Sequence, residues 1–174
     1  RVNRPEHNKQ RERRDENSEN PIYVAGAAYI YANVDQTWEY VQKIVASDRS
    51  EFTAFGSSVS LVENALVVGS EKMYQTYYFE NTGSSWEELQ IISPVENYEG
   101  ASVVSMNGED LMIDLYGYNE LHFYKKNEGL WVPEQIMVPD EEYTYFTGNC
   151  ALSAYNAIIS GRHHQNDRVF FCFD

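Results

Sequence analysis

Residues 52–70 read FTAFGSSVSLVENALVVGS: an aromatic–glycine pair, Phe55-Gly56, then two short apolar runs with only Glu63-Asn64 between them. Short branched runs split by a two-residue polar turn predict an antiparallel hairpin. The small residues at 57–60 predict a strand that can crowd a central axis, and ALVVG at 65–69 predicts one buried on both faces. Gly56 is expected where the backbone approaches another chain segment closely or takes a positive φ. A tryptophan opening the outermost strand is expected to cover apolar surface between neighbouring sheets.

The pattern repeats along the chain. Trp38, Trp86 and Trp131 are separated by 48 and 45 residues, and Gly56, Gly100 and Gly148 by 44 and 48, so two markers report one period. An aromatic run precedes each tryptophan (AAYIYAN, TYYFENT, ELHFYKKN) and an alternating run begins with it (WEYVQKIV, WEELQIIS, WVPEQIMV). Two further runs follow each glycine; Asn64-Ala65 matches Asn156-Ala157, and the middle copy turns through Asn107-Gly108, a strong hairpin signal. Four strands in about 45 residues predict an all-β chain of four-stranded antiparallel β-propeller blades. The expected repeats lie near 26–70, 73–115 and 118–161, with a partial one at 168–174, which makes about three repeats of an open or partial propeller. Residues 21–174 are read as this segment and residues 1–20, nearly devoid of apolar side chains, as a flexible polar and basic tail.

Residues 26–70 resemble the FG-GAP repeat family, the propeller repeats of integrin α-chains. The likeness rests on Gly26-x-x-Tyr-Ile-Tyr31, Trp38, Lys43-Ile44, Phe55-Gly56 and Val68-Gly69-Ser70. The later copies depart from it, with Glu99-Gly100 and Thr147-Gly148 in place of Phe-Gly and Asp114-Leu115 in place of Gly-Ala. The resemblance implies a non-catalytic scaffold for protein or glycan recognition, usually extracellular or on a cell surface. Blades of that family hold calcium in the first hairpin. The corresponding loops, LVENAL, MNGEDL and SAYNAI, offer at most two carboxylates each, so neither calcium nor another cofactor is expected.

Composition narrows the partners. The net charge is −14, and residues 1–20 hold six Lys/Arg against five acids, so the remainder is strongly acidic and repels phosphate backbones. Nucleic acid is not expected as a partner. No run approaches the eighteen or so apolar residues of a membrane span, so membrane insertion is not expected either. Phosphate-loop, nucleophile-elbow and zinc patterns are missing from the sequence, and no enzyme activity is expected.

The segments joining one blade to the next carry Asp48, Glu51, Phe52, Glu96, Tyr98, Glu99, Asp140, Glu141, Glu142 and Tyr143. Propeller topology places these connections on one face, where they would form an acidic and aromatic arc suited to a basic or sugar-bearing partner; ordinary solvated loop charge is the plainer reading. His163 and His164 in GRHHQNDR read as a polar hairpin loop rather than a metal site, and His122 as a packing substitution where Tyr29 and Tyr77 stand in the other copies. Cys150 and Cys172 fall in strands one and three of the last blade, roughly 9–10 Å apart and beyond disulfide reach, so free thiols are expected. Because the pattern begins with strands three and four of one blade and ends with strands one to three of another, open strand edges are expected to recruit a protein partner or other copies of the chain. The alternative function is a carbohydrate-binding or accessory domain of a larger hydrolase.

Overall fold

The structure is a computed structural model that describes residues 24–71, 74–94, 101–139, 144–163 and 168–173. The expected tail lies outside these residues. Among them no helix is long and apolar enough to cross a membrane. The first sheet pairs β1 (Ala28–Val34) with β2 (Thr37–Ile44). The second runs in the order β3 (Ser58–Val62), β4 (Ala65–Gly69), β5 (Thr76–Asn81), β6 (Trp86–Ile92), and every neighbouring pair is antiparallel. The third repeats that order with β7 (Ala101–Met106), β8 (Asp110–Tyr116), β9 (Glu120–Asn127) and β10 (Leu130–Met137). The fourth has three strands, β11 (Thr144–Leu152), β12 (Ala157–His163) and β13 (Arg168–Phe173). The chain is therefore all-β, and its four-stranded antiparallel sheets follow one another as in a partial, open propeller.

The second strands of the two four-stranded sheets, β4 and β8, are buried on both faces, as a run such as ALVVG requires, whereas β12 leaves Ile158 exposed. In β4, Leu66 and Val68 pack with Ile44, Phe55, Tyr77, Phe79 and Trp86 in the cluster between the first and second sheets. Ala65 and Val67 face the other way, joining Tyr78, Leu111, Ile113 and Trp131 between the second and third. Met112 and Leu121 of the third sheet meet Phe146 and Ile159 of the fourth.

The aromatic–glycine pair has a definite role. Phe55 is buried in the first cluster, and its amide donates to Ala25 O at 3.0 Å. Gly56 has φ +93°, and a Cβ there would lie 2.8 Å from Ala27 O; Gly26 has φ +81°, and a Cβ there would lie 2.1 Å from Phe55 O. Only glycine allows both the left-handed backbone and this approach between the segment leading into β1 and the one leading into β3.

The small residues of the inner strands do more than save space. Ser58 Oγ accepts from Val104 N at 3.0 Å and donates to Ser102 O at 3.2 Å, and Ser60 Oγ accepts from Met106 N at 3.1 Å. Ser105 Oγ accepts from Leu152 N at 2.9 Å one sheet further on. Inner strands of neighbouring sheets are thus tied edge to edge through serine hydroxyls, which satisfy backbone groups that have no ladder partner on that side.

Cys150 on β11 is a free thiol, and the sheet order places it two strands away from Cys172 on β13. Burial, with the Asp114 charge adding to it, pushes the Cys150 thiol up to about 12. His122 is buried with its Nε2 2.8 Å from Glu120 Oε2, and His164 lies outside the described residues.

Candidate recognition surface

The acidic arc is only partly visible. Glu96, Tyr98, Glu99, Asp140, Glu141, Glu142 and Tyr143 lie outside the described residues. Asp48 accepts from the Tyr77 hydroxyl at 3.0 Å and from Gln75 Nε2 at 3.2 Å, tying the loop after β2 to the second sheet. Burial first, then the bond to Asp48, holds the Tyr77 hydroxyl well above its ordinary pKa. Glu51 and Phe52 are exposed on the same loop. No group of three or more His, Cys, Asp or Glu among the described residues is arranged to hold a metal ion. Asp110 of the middle hairpin is held by Lys125 Nζ at 2.6 Å and Asn107 Nδ2 at 2.9 Å.

A more informative surface comes from the tryptophans. Trp86 and Trp131 are buried, the expected covering role, but Trp38 is 69% exposed. Its local sequence matches theirs; what differs is the neighbour. Trp86 packs in the cluster that Ile30 of the first sheet flanks, and Trp131 meets Tyr78 of the second edge to face at 5.7 Å. Each outer-strand tryptophan therefore rests on the sheet before it, and no sheet among the described residues precedes β1. Tyr29, Tyr31 and Tyr40 are exposed with Trp38, and Tyr31 and Tyr40 form an edge-to-face pair at 6.0 Å.

A glutamine four residues after each tryptophan completes the interface. Gln42 accepts from Trp86 N at 2.9 Å and donates to Trp86 O at 3.2 Å. Gln90 does the same for Trp131, at 2.8 and 2.9 Å. In a regular strand, positions four apart share a face, so Trp and Gln could not serve opposite neighbours. A register shift falls between them in every copy: Gln42 pairs with Ile30 and Tyr40 with Tyr31, Gln90 with Tyr78 and Glu88 with Phe79, and Gln135 with Phe123 and Pro133 with Tyr124. The extra residue of the bulge turns tryptophan toward the preceding sheet and glutamine toward the following one. Glutamine and its cross-strand partner form the seat for the next tryptophan. The signal Trp-x-x-x-Gln occurs three times, yet a polar residue on an edge strand reads as solvated until its neighbour is known.

Among the described residues no tryptophan occupies the third seat. Phe123, Gln135 and Met137 line a cavity of about 500 Å³ together with Leu152, Tyr155 and Ala157 from the fourth sheet. That cavity lies where a fourth strand of the fourth sheet would bring its tryptophan. With this geometry in place, comparison with known families shows that residues 38–84 match a family model. The match is to the FG-GAP repeat. It begins at Trp38 and runs through the first hairpin of the second sheet to the turn after β5, so it takes in the Phe55-Gly56 pair and the buried ALVVG strand of the FG-GAP repeat. No curated protein matches the chain significantly.

Proposed function

We propose that the chain is a non-catalytic FG-GAP-type propeller segment that mediates protein recognition or self-assembly, at a cell surface or in an extracellular structure. The FG-GAP match supports an interaction or structural role, since repeats of this family generally serve as scaffolds. The observation that carries the reading is the uncovered aromatic face of β1 and β2: Trp38 and Tyr40 stand in solvent while Trp86 and Trp131, at the equivalent outer-strand positions, are buried. An aromatic patch of this kind is typical of a protein contact. Glu51 and Phe52 supply the described part of a second, acidic surface for a basic partner.

The same flat aromatic rings favour one alternative, a carbohydrate-binding or accessory module, because sugars stack on exposed tryptophan. A glycan array decides between the two when read beside the Trp38 emission of the chain titrated with itself. The protein reading expects a blank array and an emission that shifts to the blue with chain concentration. A positive array with a concentration-independent emission would establish the carbohydrate reading in its place.

A further inference from the structure

Asn107-Gly108 is the one Asn-Gly pair in the 174 residues, and it sits in the turn between β7 and β8. We propose that Asn107 is a deamidation site, held off by the closed β7–β8 hairpin, whose conversion to aspartate or isoaspartate unties the fourth sheet from the third. The inference goes beyond the recognition reading, since it holds whatever the propeller segment binds.

The Asn107 side chain closes its own turn and reaches into the next sheet. Its Oδ1 accepts from Glu109 N at 2.9 Å and from Asp110 N at 2.8 Å. Its Nδ2 donates to Asp110 Oδ2 at 2.9 Å and, 46 residues further along the chain, to Ser153 O at 2.8 Å in the turn between β11 and β12. Beside that bond, Ser105 Oγ accepts from Leu152 N at 2.9 Å. The Asn107 amide and the Ser105 hydroxyl thus tie the end of β7 to the end of β11. The corresponding turns of the second and fourth sheets carry Asn64-Ala65 and Asn156-Ala157, where a Cβ follows the asparagine.

The chemistry needs only the chain and water. The Gly108 amide nitrogen attacks Asn107 Cγ, and the new N–Cγ bond closes a cyclic imide. As it forms, the Cγ–Nδ2 bond breaks and Nδ2 leaves as ammonia, carrying the proton that the Gly108 amide gives up. Water then opens the imide at Cγ to give aspartate, or at the main-chain carbonyl to give isoaspartate with one more carbon in the main chain. Nothing is oxidised or reduced. Glycine hinders the attack least, because it has no Cβ beside the nitrogen. Gly108 has φ +107°, and a Cβ there would meet only Val62 Cγ1, at 3.7 Å. A cavity of about 380 Å³, which Asn107 and Gly108 line together with Glu63, Glu80 and Lys126, brings water to the turn.

The fold sets the rate. Closing the imide draws the carboxamide off all of its partners, so the reaction runs through the opened hairpin and is slowed by how rarely that hairpin opens. After conversion a carboxylate stands where the donor stood. It faces the Ser153 carbonyl and the Asp110 carboxylate, both acceptors, and Lys125 Nζ already engages Asp110 Oδ1 at 2.6 Å. An unpaired carbonyl and two like charges replace two hydrogen bonds, so the tie becomes a repulsion.

The test is peptide mapping by mass spectrometry of the full chain kept warm at mildly alkaline pH, either folded or unfolded in guanidinium chloride. Asn107 should convert ahead of every other asparagine in the unfolded chain, and at least about 10-fold more slowly in the folded one. The converted chain is refolded and separated by anion exchange on its extra negative charge, and hydrogen exchange then compares it with the original. Exchange at Leu152 and through the β11–β12 hairpin should rise on the order of 10-fold, with β3–β6 unchanged. Asn107→Ser, which adds no charge and has no amide to lose, should not convert at this position and should show a smaller rise in the same hairpin. An Asn107 that stays intact when unfolded overturns the site, and a folded rate within about threefold of the unfolded one overturns its protection. Unchanged exchange of the β11–β12 hairpin in the converted chain and in Asn107→Ser overturns the tie.

Discussion

Replacing Asp114 by asparagine should stabilise the protein progressively as pH rises from 3.8 to about 7 and leave it nearly unchanged below pH 3.8. Asp114 sits in the middle of β8, on the face shared with Met112, where it is fully buried. Neither carboxylate oxygen has a hydrogen-bond partner of good geometry. Burial pushes its pKa up to about 7 from an ordinary 3.8, and the Gly148 backbone amide pulls weakly the other way. Below pH 3.8 both the folded and the unfolded chain hold this proton. Between 3.8 and about 7 only the folded chain holds it, so this group's contribution to stability falls as pH rises. Once the folded carboxyl ionises, the loss levels off at about 4 kcal/mol, each pH unit of that window being worth about 1.4 kcal/mol. An asparagine side chain carries no charge at any pH and would remove the slope. Other carboxylates act in the opposite sense: Lys126 and Tyr78 hold the Glu80 carboxyl below its ordinary value, which favours the fold above its unfolded pKa. The difference between the two proteins cancels these terms. Urea unfolding at pH 5 and pH 8 should give a difference that grows by a few kcal/mol toward pH 8 in favour of Asp114→Asn. A difference that does not change with pH would show that Asp114 does not keep its proton in the fold.

Gly56→Ala should cost at least about 2 kcal/mol, since it combines a positive φ with a Cβ 2.8 Å from Ala27 O, and a thermal melt would record it. Gln90→Ala removes both hydrogen bonds to the Trp131 backbone and should destabilise by about 1–3 kcal/mol, whereas Gln135→Ala in dilute single chains should stay within about 0.5 kcal/mol; urea midpoints compare them. Cys150 should resist alkylation at pH 8 until the protein unfolds, because burial keeps its thiol protonated, and peptide mapping by mass would reveal premature labelling.

Much of the fold was legible because its signals are local. The ALVVG run specifies a strand buried on both sides, Asn107-Gly108 marks a turn, and the tryptophan period shows where each sheet restarts; the structure has these elements at those places. What depends on a neighbour was not legible. Trp38 has the same local sequence as Trp86, and only the sheet before it decides whether the ring is covered. Gln42, Gln90 and the inner-strand serines look like solvated polar residues until a backbone from the next sheet arrives within 3.2 Å. Asp48 accepts from Tyr77 on β5 and from Gln75 just before it, partners that lie 29 and 27 residues away in sequence, because a loop between sheets touches both. Asp114 departs from the Gly-Ala pattern, and its burial follows from the fourth sheet closing over β8.

Each outer-strand tryptophan is covered by the preceding sheet, and among the described residues the first, Trp38, has no such cover. Acrylamide quenching of three variants, each keeping one tryptophan and carrying phenylalanine at the other two positions, measures this most directly in dilute solution. Trp38 should quench nearly as fast as free indole, with a red-shifted emission, while Trp86 and Trp131 are shielded several-fold. A Trp38 as protected as Trp131 at single-chain concentration, or a Trp131 as open as Trp38, would contradict it.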